Sequence, residues 1–185
     1  MEALRTNARR LRELVAPARI AFAVKSNAYG HGLLETALAI EPFATMLCVY
    51  GVQEAVALRD GGVTKPVLIM GPVAPEDLDA ALDAKSSVAL WDTRNYAARV
   101  ATTARKRHTS FPVHVKINTG LNRLGLSPRD AADALEDYLR RPELRIEGVF
   151  SHLASAEELD SPFTLAQLAT FEKALAPVQT QLQDR

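Results

Sequence analysis

The sequence predicts an α/β protein whose parallel strands are covered by helices, and three observations carry that prediction. Short apolar runs rich in branched residues recur along the chain, and helical patterns with recognisable caps separate them. The runs are apolar at consecutive positions rather than alternating, as strands buried on both faces require. Such strands suit an open doubly wound sheet or a (β/α)8 barrel.

The first element is a helix. Leu4, Ala8, Leu11 and Val15 recur at three- to four-residue steps among Arg5, Arg9, Arg12 and Glu13, which predicts an amphipathic helix over 2–15 stopped by Pro17. Six strand candidates follow: "ARIAFAV" (18–24), "FATMLCVY" (43–50), "PVLIM" (66–70), "SSVAL" (86–90), "FPVHVKI" (111–117) and "IEGVF" (146–150). Between them, Gly61 and Gly62 stop "VQEAVALRD", Asp92 caps "TRNYAARVATTARKR", and Ser127-Pro128 with Asp130 reads as a capping box.

The chain starts on a helix with no strand before it and ends inside the helical pattern of 164–185 without a stop signal. It therefore reads as a piece of something longer. Adding two βα units at the observed spacing reaches the roughly 250 residues of a barrel. The expected fold is a parallel (β/α)8 TIM-type barrel, incomplete in this chain, with about six strands present in residues 1–185. No Pro/Gly/Ser-rich linker or low-complexity tract interrupts it.

Composition narrows the function classes. With 185 residues and 48% apolar content the chain can bury a real core. Lys plus Arg and Asp plus Glu both number 22, so no net field gathers nucleic acid or anionic lipid. Small molecules and other chains are the expected partners. No apolar run approaches the roughly 20 residues of a membrane span, and the single cysteine, Cys48, excludes a disulfide framework. A cytoplasmic protein with a buried, inert thiol is expected. No metal-ligand motif stands out.

The chemistry gathers at strand ends. Lys25 follows "AFAV", Lys116 lies within "VHVKINTGLNRLG", and His152 follows "GVF". In parallel α/β architectures the loops leaving the strands converge there to build active sites. A lone lysine at a strand end is most often a surface residue, but Asn27, Tyr29 and His31 concentrate donors around this one. Gly30 and Gly32 let backbone approach a ligand closely. A lysine drawn toward an apolar strand end loses some preference for its charged form, which makes the amine nucleophilic enough for a Schiff base, the chemistry pyridoxal phosphate exploits.

Three stretches carry a family resemblance. "AVKSNAYGHG" resembles the cofactor-lysine motif of alanine racemases, "KINTGLNRLG" is similar to their second motif, and "GVFSHLASAEELDSPFTLAQLATF" to their third. The resemblance implies amino-acid racemisation of L- and D-alanine with pyridoxal 5'-phosphate. Lys25 would carry the cofactor covalently and serve as the base for the D-isomer. Tyr29 would stand near the phosphate, His152 beside the pyridine ring, and Arg123 at the phenolic oxygen and the substrate carboxylate. Lys116 would be the lysine often carbamylated in this family to hold Arg123; a carbamate reverses its charge and makes that pairing attractive.

Ser26, Asn118 and Leu121 depart from the commonest family pattern, and Asn118 alters the charge balance around Lys116. Racemisation needs acid/base groups on both faces of the substrate carbon, and Lys25 supplies one. The family takes the other from a tyrosine of a C-terminal β-domain in the partner subunit of a homodimer, which is absent from these residues. Tyr50, Tyr96 and Tyr138 are assigned to packing. The isolated segment is expected to be inactive and poorly stable, with strand faces uncovered. The alternatives are a non-catalytic cofactor-binding or assembly module, and a phosphate-binding enzyme in which Lys25 neutralises a phosphoester. The latter lacks any G-x-G-x-x-G or P-loop sequence.

Overall fold

The computed structural model describes the backbone of residues 1–92 and 95–183. The chain divides into two compact units, Met1–Ala89 and Leu90–Arg185.

The first unit opens with helix α1 (Glu2–Val15), with the bounds its periodicity predicts. Only Ala8 of its apolar stripe is buried; Leu4 is half-buried and Leu11 and Val15 are exposed. Strand β1 (Ala21–Ala23) leads into a short helical turn, α2 (Lys25–Tyr29), and helix α3 (Leu33–Ile40). Strand β2 (Met46–Val49), helix α4 (Val52–Asp60), strand β3 (Val67–Ile69), helix α5 (Leu78–Asp83) and strand β4 (Ser86–Leu90) follow.

Strands β1 to β4 pair in chain order and all in parallel, with Ala21 opposite Met46, Leu47 opposite Val67 and Val67 opposite Ser86. Parallel order needs a crossover of helix between strands, which the alternation of elements supplies. Helix α4 ends as expected at Gly61, and Gly62 follows at a φ of 90° that favours glycine. Leu47, Ile69, Leu58, Leu78 and Val88 are fully buried between sheet and helices.

The expectation that every strand is buried on both faces fails at β1. Ala21 and Ala23 are exposed and Phe22 is half-buried, because the described pairing of this strand is to β2 alone. An edge strand has no second neighbour to cover it. The strand is also shorter than the apolar run 18–24, whose first three residues carry no strand pairing.

The second unit contains helix α6 (Asn95–Lys106), strand β5 (Phe111–Lys116), helix α7 (Ala131–Leu139), strand β6 (Leu144–Phe150), helix α8 (Pro162–Leu175) and helix α9 (Gln179–Gln183). The Asp92 side chain accepts the Tyr96 amide at 3.2 Å, as a cap should; the predicted first residues of that helix, Thr93 and Arg94, lie outside the described residues. Ser127 and Asp130 bond each other in the predicted manner, the Ser127 hydroxyl donating at 2.8 Å, but they form a turn ahead of α7 rather than its first turn.

The apolar pattern of 164–185 is interrupted at a 3-10 turn, Ala176–Val178, because Pro177 has no amide to donate. Its last residues, Asp184 and Arg185, lie outside the described residues.

Strands β5 and β6 pair in parallel from Phe111↔Leu144 to Lys116↔Phe150, with a register shift between Val113 and His114. Phe111, Val113, Val115, Leu135, Tyr138 and Leu144 form the core here. Ile146, Val149 and Phe150 of β6 stay half-buried, a second departure from two-faced burial. Tyr96 and Tyr138 pack as expected, Tyr96 stacking on Trp91 with ring centroids 5.5 Å apart. Tyr50 does not: it is 56% exposed. No described helix is long and apolar enough to cross a membrane.

Candidate active site

In the first unit Lys25 is the second residue beyond β1 and is half-buried. Its amine makes no hydrogen bond or ion pair with a described residue; its described neighbour is the Tyr29 ring, whose centroid lies 6.0 Å from Nζ. Tyr29 itself is 63% exposed. The segment between them has an unusual backbone conformation. Ser26, Asn27, Ala28 and Tyr29 hold φ of 54°, 54°, 52° and 55°, one left-handed turn built from four L-residues.

That conformation disfavours every residue with a Cβ, so the surroundings must fix it. The Ala28 amide donates to the Val24 carbonyl at 2.8 Å, and the Gly30 and Gly32 amides both reach the Asn27 carbonyl at 3.0 and 3.1 Å. Asn27 Oδ1 accepts the Leu33 amide at 2.8 Å, which starts α3. On the far side, Glu54 accepts the Ser26 amide at 2.6 Å.

In the second unit the other motifs lie at the ends of β5 and β6. Lys116 closes β5 at 5% exposure, its Nζ 5.7 Å from the Phe150 ring centroid. The loop after it folds back on itself: the Asn118 amide donates to the Leu126 carbonyl at 2.9 Å and the Leu126 amide to the Lys116 carbonyl at 2.8 Å. Asn118 Oδ1 accepts the Gly120 and Asn122 amides at 3.1 and 2.9 Å, and its Nδ2 donates to Asn122 Oδ1 at 3.0 Å. An aspartate could make the first two of these bonds but not the third, which gives the departure at this position a structural role.

The loop presents Arg123 to solvent, and its guanidinium makes no hydrogen bond or ion pair with a described residue. His152, two residues past β6, is also exposed. The Ser151 hydroxyl donates to the Ile117 carbonyl at 2.8 Å and lies 2.7 Å from the Thr119 hydroxyl. The Lys116 and His152 segments are thereby held side by side.

One residue of this arrangement escaped the sequence analysis. Gln167 on α8, 1% exposed, donates from Nε2 to Thr119 Oγ1 and to the His152 carbonyl, both at 3.2 Å, and accepts the Ala154 amide at 2.8 Å. A glutamine in a helical pattern reads as surface; only its position among apolar neighbours at helical spacing hints otherwise.

Cys48 is 7% exposed in β2, and burial pushes its thiol up to about 11, which makes it a packing residue rather than a nucleophile. Among the described residues no three His, Cys, Asp or Glu side chains gather as metal ligands would.

Parallel strands alternating with helices define the class: an α/β protein of the TIM-barrel type. The chain belongs to the family described as alanine racemase, N-terminal domain, which it matches over residues 1–185. It is similar to the alanine racemase of Symbiobacterium thermophilum, 37% identical over 177 residues that cover 95% of this chain and 47% of that protein. The alanine racemase of Syntrophobacter fumaroxidans is 38% identical over 178 residues, again 47% of its length. Among solved structures, alanine racemase from D-cycloserine producing Streptomyces lavendulae superimposes with a TM-score of 0.90 at 29% identity, covering 97% of this chain and 48% of that one. The chain spans about half the length of the curated relatives it matches.

Proposed function

We propose that this chain is the lysine-bearing, N-terminal portion of a pyridoxal-phosphate-dependent alanine racemase that acts in the cytoplasm as a homodimer. The observation that carries the reading is Lys25: an amine beside a strand end, without an ion pair to any described residue, on a turn held in an unusual conformation. The donor set fits the cofactor. In the first unit Tyr29 offers a neutral hydroxyl donor for a phosphate, and in the second Arg123 and His152 offer a guanidinium and a planar ring.

Pyridoxal phosphate would supply the electron sink for the pair left on the substrate carbon when its proton departs. Lys25 would hold the cofactor covalently and move the α-proton on one face, acting as base for the D-isomer. Arg123 would bind the alanine carboxylate and the phenolic oxygen, Tyr29 would orient the phosphate, and His152 would lie against the ring. Lys116, 5% exposed at the end of β5, would hold the Arg123 loop through a carbamate. The opposite face needs a second acid/base group, for which the longer relatives have room beyond the matched length.

The test is reductive trapping. After incubation with pyridoxal 5'-phosphate and borohydride, peptide mass spectrometry should find the adduct on Lys25 and lose it in Lys25→Arg, which retains a phosphate contact but not a reactive amine. An adduct elsewhere, or none in the full-length protein, would overturn the reading. D-alanine formation from L-alanine by that protein distinguishes a racemase from a module that binds the cofactor without turnover.

A further inference from the structure

We infer that Glu54, at the start of α4, is a positioning residue for Lys25, acting through the backbone amide of Ser26. This rests on the reading that Lys25 is the cofactor-bearing lysine.

The Ser26 amide and the Lys25 carbonyl share one rigid peptide plane. Whatever fixes that N–H therefore fixes the backbone rotation of Lys25 and with it the direction in which the lysine side chain leaves the chain. The left-handed turn supplies no acceptor for this amide, since its own bonds run from Ala28, Gly30, His31 and Gly32. The acceptor is instead Glu54 Oε1 at 2.6 Å, 28 residues away in sequence.

Glu54 is itself anchored. Its Oε2 accepts the Tyr50 and Gly51 amides at 2.8 and 3.3 Å, which places the carboxylate across the connection from β2 to α4. A carboxylate is suited to this position at a helix N-terminus, and it has two oxygens to satisfy both sides. A glutamine has one, so it must release either the Ser26 amide or the Tyr50 and Gly51 pair. The helix that follows β2 thus reaches over to hold the residue beside Lys25, adding a distant tie to the local bonds of a left-handed turn.

The test compares wild type, Glu54→Gln and Leu58→Ala in the full-length protein. Leu58, fully buried on the same helix, loosens α4 without touching the carboxylate. Two quantities are read on the apo-protein: hydrogen exchange at the Ser26 amide, and the apparent affinity for pyridoxal 5'-phosphate trapped on Lys25. Glu54→Gln should speed Ser26 exchange and weaken cofactor capture at least tenfold while the protein stays folded by circular dichroism. Leu58→Ala should lower the melting temperature but leave capture within about twofold. Equal capture by wild type and Glu54→Gln, or an equal loss in Leu58→Ala, overturns the proposal while leaving the cofactor reading intact. Absence of a Lys25 adduct in wild type overturns both.

Discussion

Gln167 Nε2 lies 3.2 Å from Thr119 Oγ1, a hydrogen bond that ties α8 to the loop following β5. The same carboxamide holds the His152 carbonyl and the Ala154 amide, so one buried side chain serves both motif-bearing loops of the second unit. Gln167→Leu keeps much of the volume and removes all three bonds. With Thr119 only 8% exposed, the loss should cost about 2 kcal/mol in urea unfolding. A cost below about 0.5 kcal/mol would show that the network contributes little.

The Arg123 loop depends on Gly125. Its φ is 133°, and a Cβ there would stand 2.6 Å from the Asn118 nitrogen, a backbone atom that cannot swing aside. Gly125→Ala should therefore destabilise by more than about 2 kcal/mol and weaken cofactor capture, because the loop must open to admit the methyl group. Thermal unfolding and trapping on Lys25 check the two effects separately.

Burial pushes the Cys48 thiol from its ordinary 9.0 up to about 11. Between those pH values the unfolded chain gives up a proton that the folded chain keeps. Stability is accordingly retained below pH 9 and lost as pH rises toward 11, by up to about 3 kcal/mol. Cys48→Ala should flatten that alkaline decline. Alkylation by iodoacetamide at pH 8 should be slow until urea unfolds the protein.

His114 responds in the opposite direction. Burial holds it below its ordinary 6.5, outweighing the nearby Glu147, whose Oε2 lies 3.8 Å from Nε2. As pH falls through 6.5 the unfolded chain takes up a proton before the folded one does, so stability is present above that pH and declines with acid. The slope is at most about 1.4 kcal/mol per pH unit. Urea midpoints between pH 7.5 and 5 should show it, and His114→Gln should remove it.

The contrast between α1 and α2 shows how far the sequence could be read. The α1 bounds follow from periodicity and Pro17, both local signals. Nothing in "SNAY" announces four consecutive left-handed residues, and one partner of the turn, Glu54, lies 28 residues away. Likewise the apolar runs of β2, β3 and β4 declared their burial, whereas the exposure of β1 depends on which strands lie beside it. Lys25, Lys116 and His152 stand at the strand ends where their spacing placed them. Gln167 and Glu54 were hidden, since a polar residue in a helical pattern looks the same whether it meets water or a neighbouring loop.

The sequence by itself determined the alternation of strand and helix, the parallel order that alternation imposes, and the positions of the lysine, arginine and histidine after their strands. Short-range patterns of apolar side chains and chain-breaking residues are enough for these. Only the tertiary structure decided the handedness of the turn after Lys25 and the two polar ties that hold the motif loops. Those depend on hydrogen bonds between residues dozens of positions apart, whose energies exist only once the chain has brought them together.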